Sequence, residues 1–255
     1  MYEPRTYRDR MVGKGFGSFT VCVEETDIWV GIDTESFSKL NISELKEATE
    51  SYIKTLRGEL TGYIAKKSVF QTNMVPIEND PGAVKIVQEM IKAANLAGTG
   101  PMAAVAGAFS ESIGKRILEM FPVQEIIVEN GGDIWVSARR QVRFSIFAGD
   151  SPLSGKIGII IQPEDMPLGV CTSSGTVGHS ISLGKADAVT IACKNAAEAD
   201  ALATAYGNRI QQCEDIDTVI QELKECVNII SALLIYKDRA AVCGKCEVNV
   251  IHEKS

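Results

Sequence analysis

Val123-Gln124-Glu125-Ile126-Ile127-Val128-Glu129-Asn130-Gly131-Gly132-Asp133-Ile134-Trp135-Val136-Ser137-Ala138 sets two apolar runs around a polar glycine pair. Val123 to Val128 predicts a buried strand, Asn130-Gly131 a tight turn, and Ile134 to Ala138 the partner strand. Asn-Gly supplies the positive φ that a two-residue hairpin turn needs. Upstream, Pro101 suits a first helical position, and the small residues from Met102 to Phe109 let that helix pack closely. Ile86, Met90 and Ile91 at helical spacing place a helix over 82–95. Ser43, with Lys46-Glu47 behind it, opens another to about Arg57. Before them, Phe19, Val21 and Val23 alternate, Glu24-Glu25-Thr26-Asp27 turns, and Ile28 to Ile32 returns.

Downstream, Val142 to Ala148 and Lys156 to Gln162 read as strands, and a Gly/Ser-rich stretch interrupts them over 169–185. Ala188 to Cys193 is a further strand, Asn195 caps a helix over 196–212, and a shorter helix covers about 215–225. Residues 229–236 and 240–250 read as a hairpin turning at Lys237-Asp238-Arg239. Strand pairs, then helices, then strand pairs occur twice. The expectation is an α+β fold on a duplicated ββααββ plan, one unit over 1–255 built of two interlocked halves, about 1–140 and 141–255.

Composition limits the function classes. The 255 residues carry a net charge of −7, with 45% apolar and 23% charged residues. An acidic chain without a basic tail or a basic helix face lacks the footprint for nucleic acid. The charged start Tyr2-Glu3-Pro4-Arg5 is no signal peptide, and the apolar run Val227–Tyr236 is too short to span a bilayer. A cytoplasmic protein without a membrane partner is expected, and an oligomer is compatible with all of this. A small anionic ligand is allowed, because backbone N–H nests bind phosphate on acidic proteins. Seven scattered cysteines, an odd number, read as reduced thiols. Cys243-Gly244-Lys245-Cys246 is half a zinc site without a second half, and reads as structural.

Three segments could carry chemistry. Glu129-Asn130-Gly131-Gly132-Asp133 is either a plain hairpin or a turn whose glycines let backbone approach a ligand beside Asn130 and Asp133. Cys171-Thr172-Ser173-Ser174-Gly175-Thr176-Val177-Gly178-His179-Ser180 concentrates hydroxyls, a thiol and an imidazole between glycines. It offers donors to phosphate, with His179 as general base. Asp200 and Thr204, four apart on an alanine-rich helix, place a carboxylate and a hydroxyl on one face where a hard cation such as Mg²⁺ could share them. A thiol or serine hydrolase using Cys171 or Ser173 with His179 is a competing reading, without a Gly-x-Ser-x-Gly elbow.

In this order the three segments resemble the ApbE family of flavin transferases. Glu129 to Ile134 is similar to its Asn-Ala-Gly-Gly-Asp-Ile turn, Cys171 to Gly175 with His179 to its Thr-Ser-Gly loop, and Ala199-Asp200-Ala201-Leu202-Ala203-Thr204 to its Ala-Asp-Ala-Leu helix. The wording is nearer still to an uncharacterised sister family of ApbE-like proteins, through Glu25-Thr26-Asp27, Gly100-Pro101-Met102-Ala103-Ala104-Val105-Ala106-Gly107 and Gly184-Lys185-Ala186-Asp187-Ala188. The resemblance implies a duplicated T-fold that binds FAD or FMN between its halves. It implies Mg²⁺ at Asp200 and Thr204, and ligand contacts from Gly100, Met102, Asn130, Gly131, Gly132, Asp133, Thr172, Ser173, Ser174 and Gly175. It further implies FMN transfer to an acceptor flavoprotein, Asp200 and His179 being catalytic and His179 deprotonating the acceptor hydroxyl. Two departures stand out. Ala106 occupies the place of the family's lysine, and Ser180 to Leu183 lacks the Asp-Pro that follows its histidine. Lys115, Arg116 and Lys185 are the candidate replacements, and a flavin or nucleotide binder without catalysis is the alternative.

Overall fold

The computed structural model describes Arg8 and residues 15–176, 183–245 and 247–250. The chain opens with the hairpin β1 (Phe16–Val23) and β2 (Thr26–Asp33), where Glu24 takes φ 53°. Helices α1 (Thr34–Lys39), α2 (Ile42–Lys66), α3 (Val69–Thr72) and α4 (Lys85–Ala97) follow, then a 3-10 turn over Pro101–Ala104 and α5 (Val105–Met120). The hairpin β3 (Ile126–Asn130) and β4 (Asp133–Ser137) comes next, followed by β5 (Val142–Ser145) and β6 (Ile157–Ile161). The second run is β7 (Leu168–Ser173), β8 (Ala188–Cys193), α6 (Ala196–Arg209), α7 (Asp215–Glu225), β9 (Ile229–Tyr236), β10 (Arg239–Gly244) and β11 (Glu247–Val250).

An eight-stranded sheet runs β1-β2-β3-β4-β7-β8-β9-β10, and a three-stranded sheet runs β11-β6-β5. Every pairing among the described residues is antiparallel. Helices intervene between β2 and β3 and again between β8 and β9, so the ββ-helix-ββ order occurs twice, the α+β architecture that the sequence predicts.

Both faces of the large sheet are covered. Ile28, Val30 and Val128 belong to the core shared with the helices, whereas Trp29, Ile127 and Val136 pack with Phe144 and Ile159 of the small sheet. A strand buried on both faces loses its polar alternation. All eight positions of β2 are buried, and its middle, Ile28 to Ile32, carries no charged side chain.

Five expectations need correction. The turn expected at Asn130-Gly131 falls one residue later, at Gly131-Gly132, and Asn130 ends β3 paired with Asp133. The second helix runs to Lys66, past Gly58 and Gly62, and its cap is Asn41, whose side chain accepts from the Ser43 and Glu44 N–H groups. The helix expected to begin at Pro101 starts as a 3-10 turn and becomes α-helical only at Val105. The polar stretch from 169 begins as β7 in the middle of the large sheet, where its backbone pairs with both neighbours. The C-terminal hairpin ends at Gly244, whose φ of 94° breaks the ladder, and 247–250 cross to the small sheet beside β6.

Candidate functional site

The β3–β4 turn is anchored from beneath by buried charge. Gly131 and Gly132 take φ 69° and 102°, the left-handed region that glycine enters without strain. Beneath them Glu129 is fully buried. Its Oε1 accepts from the Gly132 N–H at 2.7 Å, and its Oε2 from Arg8 Nε at 2.5 Å. Arg8 also donates to Asp27 Oδ1 at 2.8 Å and to the Asp27 carbonyl at 2.9 Å. Three segments distant in sequence are thereby tied together beneath the turn.

Around this turn the predicted segments meet. The Asn130 amide donates to the Ala106 carbonyl at 3.4 Å, at the start of α5. Asp133 Oδ1 accepts from the Thr172 N–H of β7 at 3.2 Å. Asp200 sits in the second turn of α6, a helix capped by Asn195 through the Glu198 N–H. Its Oδ2 accepts from the Gly107 N–H at 2.9 Å. A Cβ at Gly107 would lie 2.2 Å from the Ala196 carbonyl oxygen and 2.9 Å from the Asp200 Cβ, so glycine is what lets α5 touch α6 there. Gly100 is buried, Met102 packs half-buried on the helical core, and Thr204 is half-buried one turn beyond Asp200.

In β7 and the loop after it, the Thr172 hydroxyl pairs with that of Thr190 at 2.9 Å, and the Gly175 N–H donates to the Ala186 carbonyl at 2.8 Å. Ser173 and Ser174 are half-buried and Gly175 is exposed. The Ser174 Oγ lies 3.3 Å from the Thr176 hydroxyl, which donates to Asp187 Oδ1 at 3.2 Å. His179, the expected base, lies outside the described residues, as does Cys246 of the CxxC.

The electrostatics centre on two buried carboxylates. Burial pushes the Asp200 carboxyl up to about 7, against the pull of the Gly107 and Ala106 N–H groups. Burial likewise lifts Asp133 well above the carboxylate range, helped by the charge of Asp200 and opposed by the Thr172 N–H. Two buried acids coupled in this way hold a proton at neutral pH that a single exposed acid would release. Such a pair can deliver that proton or exchange it for a hard cation. Among the described residues no three His, Cys, Asp or Glu side chains group as a metal cage. A cation here would have the Asp133 and Asp200 carboxylates, and Mg²⁺ commonly completes so sparse a set with water and ligand phosphate.

Cys171 does not suit the hydrolase reading. Its thiol is buried, donates to the Ala196 carbonyl at 3.3 Å, and is pushed well up by burial and by the charges of Asp133 and Asp200. A nucleophilic cysteine needs the opposite shift. Lys115 pairs with Glu111 at 2.6 Å and Arg116 lies 3.5 Å from Glu119.

Two residues that sequence reading did not single out support the site. Glu111 Oε2 accepts from the Ala196 N–H at 2.6 Å and so anchors the start of α6 on α5. Its available signal was being the first charged residue after the uncharged run from Pro101 to Ser110. Arg8 had none, lying among the other charges of Arg8-Asp9-Arg10.

Among the described residues no helix is long and apolar enough to cross a membrane. Residues 8–225 match the model of a family described as AbpE bacteria. A UPF0280 protein of Methanocaldococcus jannaschii is 36% identical, covering 88% of this chain and 89% of its own. A UPF0280 protein of Methanopyrus kandleri is 40% identical, covering 89% and 90%. Among solved structures, the apo flavinyl transferase ApbE of Pseudomonas stutzeri superposes with a TM-score of 0.57 at 14% identity, over 89% of this chain and 94% of that one. The ApbE protein of Thermotoga maritima gives 0.54 at 12% identity, over 86% and 94%. At such identities the likeness concerns the fold. With its turn, helix starts and strand order in place, the chain belongs to the AbpE bacterial family, among the UPF0280 proteins, and has an ApbE-like α+β fold.

Proposed function

We propose that this protein binds a flavin nucleotide, FAD or FMN, together with Mg²⁺, and that it cleaves or transfers the phosphoryl bond slowly at most. The observation that carries this reading is the buried Asp133–Asp200 pair beside the open Gly131-Gly132 turn and the start of α5. The paired acids favour a divalent cation, and the glycine turn gives a flat or anionic ligand access to backbone. The solved ApbE relatives are named for flavin transfer, which selects the flavin among nucleotides. Mg²⁺ held by Asp200 and Thr204 would neutralise charge on the ligand's phosphate oxygens.

The chain's own residues would divide the remaining work. Gly107 orients the Asp200 carboxylate through its N–H, and Thr172 does the same for Asp133. Asn130, Gly131, Gly132, Ser173 and Ser174 border the ligand, with Gly100 and Met102 on the α5 side. His179 is assigned the acceptor's proton. Ala106 supplies no cation to a developing phosphoryl charge, a loss worth several kcal/mol at about 1.4 kcal/mol per tenfold in rate.

The test incubates purified protein with FAD with and without Mg²⁺, following flavin fluorescence and chromatographic release of AMP and FMN. Saturable, Mg²⁺-dependent FAD binding with slow AMP release is the expected outcome. Absence of flavin binding would refute the reading, and rapid flavinylation of an acceptor threonine peptide would refute its slow-transfer half.

A further inference from the structure

Both φ angles of the Gly131-Gly132 turn are positive, the type I′ arrangement. Two glycines do not enforce it. Type II′, which rotates the peptide between them and reverses its N–H and C=O, is open to a glycine pair as well. Glu129 selects between the two. Its Oε1 takes the Gly132 N–H at 2.7 Å, while its Oε2 is held by Arg8, itself held by Asp27. A bond from this fully buried carboxylate is charge-assisted and stronger than a neutral one.

Strand alternation then sets where the other end of that peptide points. Successive side chains of a strand point to opposite faces. Glu129 pairs with Trp29, and Trp29 and Ile127 lie on the face packed against the small sheet. Asn130 and Asp133, paired across the turn, share the opposite face with Val128 and Trp135, where α5 and α6 pack. The 131–132 peptide is trans, so its C=O points away from its N–H. With the N–H drawn down to Glu129, the Gly131 carbonyl faces the side of Asn130 and Asp133. Gly131 is exposed, which leaves the turn open to a ligand.

We propose that Glu129 is a positioning residue that makes the glycine turn a hydrogen-bond acceptor, with the Gly131 carbonyl taking the imide N–H of the flavin ring. This rests on the flavin reading above and adds which part of the ligand the turn holds. The Gly132 N–H that a phosphate nest would use is turned inward, and the face beside the carbonyl carries the Asp133 carboxylate. The ring, and not the phosphate end, therefore lies on the turn.

Riboflavin and 3-methylriboflavin, which differ only at the imide nitrogen and carry no phosphate, are titrated into the full chain and followed by flavin fluorescence. The wild type should bind riboflavin about tenfold more tightly, since methylation removes one hydrogen bond and leaves the carbonyl facing a methyl group. Glu129→Met cannot accept from Gly132 and should cut the ratio to about two, whereas Glu129→Gln can accept and should restore most of it. Asp27→Asn loosens Arg8 without touching the turn and should leave the ratio at its wild-type value. A purely structural Glu129 would lower stability in all three variants and move the ratio in none. Hydrogen exchange on the wild type gives a readout that needs no variant to fold: the Gly132 amide should exchange slowly although it lies in a surface turn. A wild-type ratio near one, an unchanged ratio in Glu129→Met, or a fast-exchanging Gly132 amide would overturn the assignment and leave the flavin reading standing. Failure of riboflavin to bind at all would overturn both.

Discussion

Replacing Asp200 by asparagine should remove a pH-dependent penalty that the fold carries at neutral pH. The carboxyl ionises near 3.8 when exposed and at about 7 in the folded chain. Below both values it is protonated in either state and contributes nothing. As pH rises through 3.8 the unfolded chain releases the proton and the folded one keeps it, so stability falls until the folded carboxyl ionises near 7. At about 1.4 kcal/mol per pH unit, the whole penalty is about 4 kcal/mol, of which about 3 kcal/mol accrues above pH 5. The asparagine amide does not titrate in this range, and its carbonyl can still accept from the Gly107 N–H. Asp133 also titrates more easily once its charged neighbour is gone, which acts in the same direction. Urea unfolding of both proteins at pH 5, 6, 7 and 8 without divalent metal measures the effect. The stability difference should move in favour of the Asp200→Asn variant by about 3 kcal/mol across that range. Adding Mg²⁺ at 100 times its dissociation constant should return about 2.7 kcal/mol to the wild type alone at pH 8. A difference that stays constant with pH would refute the argument, because it would mean that Asp200 ionises normally.

Arg8→Ala should cost about 3–5 kcal/mol, since it leaves Glu129 fully buried without the guanidinium it pairs with. Thermal unfolding should show the loss, and Glu129→Gln added to Arg8→Ala should recover part of it. Gly58→Ala and Gly62→Ala should each stabilise the protein by up to about 1 kcal/mol. Both glycines lie exposed inside α2 with nothing within 4 Å of an added Cβ, and a chemical denaturation midpoint that does not rise would count against the open geometry.

Most of the fold was legible because its strands and helices obey local rules. Val123 to Ala138 showed its hairpin through two apolar runs about a glycine turn, although the turn is Gly131-Gly132 and Asn130 stays in β3 opposite Asp133. Asn195 gave the start of α6 through its cap. What escaped was decided by tertiary contact. Leu168–Ser173 is a central strand although it is rich in hydroxyls, because Thr172 finds Thr190 and Asp133 across the sheet. The end of α2 escaped because exposed glycines look like breakers in sequence, whereas packing of Leu56 and Leu60 on the core carries the helix past them. At the site, Asp200, Asn130 and the glycine turn were recognisable as motif residues. Arg8 and Glu111 were not, since their partners lie 121 and 85 residues away in sequence.

The uncharged side chain at Ala106 bears on the raised pKa of the carboxylate pair. Ala106 stands at the start of α5, where its N–H and that of Gly107 pull the Asp200 pKa down while burial pushes it up. Backbone dipoles alone leave the balance at about 7. A lysine ammonium at this position would add a full charge, and an opposite charge within about 4–6 Å lowers a carboxyl by about 1–3 pH units. Ala106→Lys should therefore move the stability midpoint of the metal-free protein from about 7 to about 4–6, measured against the same variant carrying Asp200→Asn. Ala106 is half-buried, so the longer side chain has a route to solvent. With the carboxylates ionised in advance, Mg²⁺ binding should release fewer protons at pH 7, which calorimetry in buffers of different ionisation enthalpy reads directly. An unchanged pH profile in Ala106→Lys would break the link between the missing cation and the protonated pair.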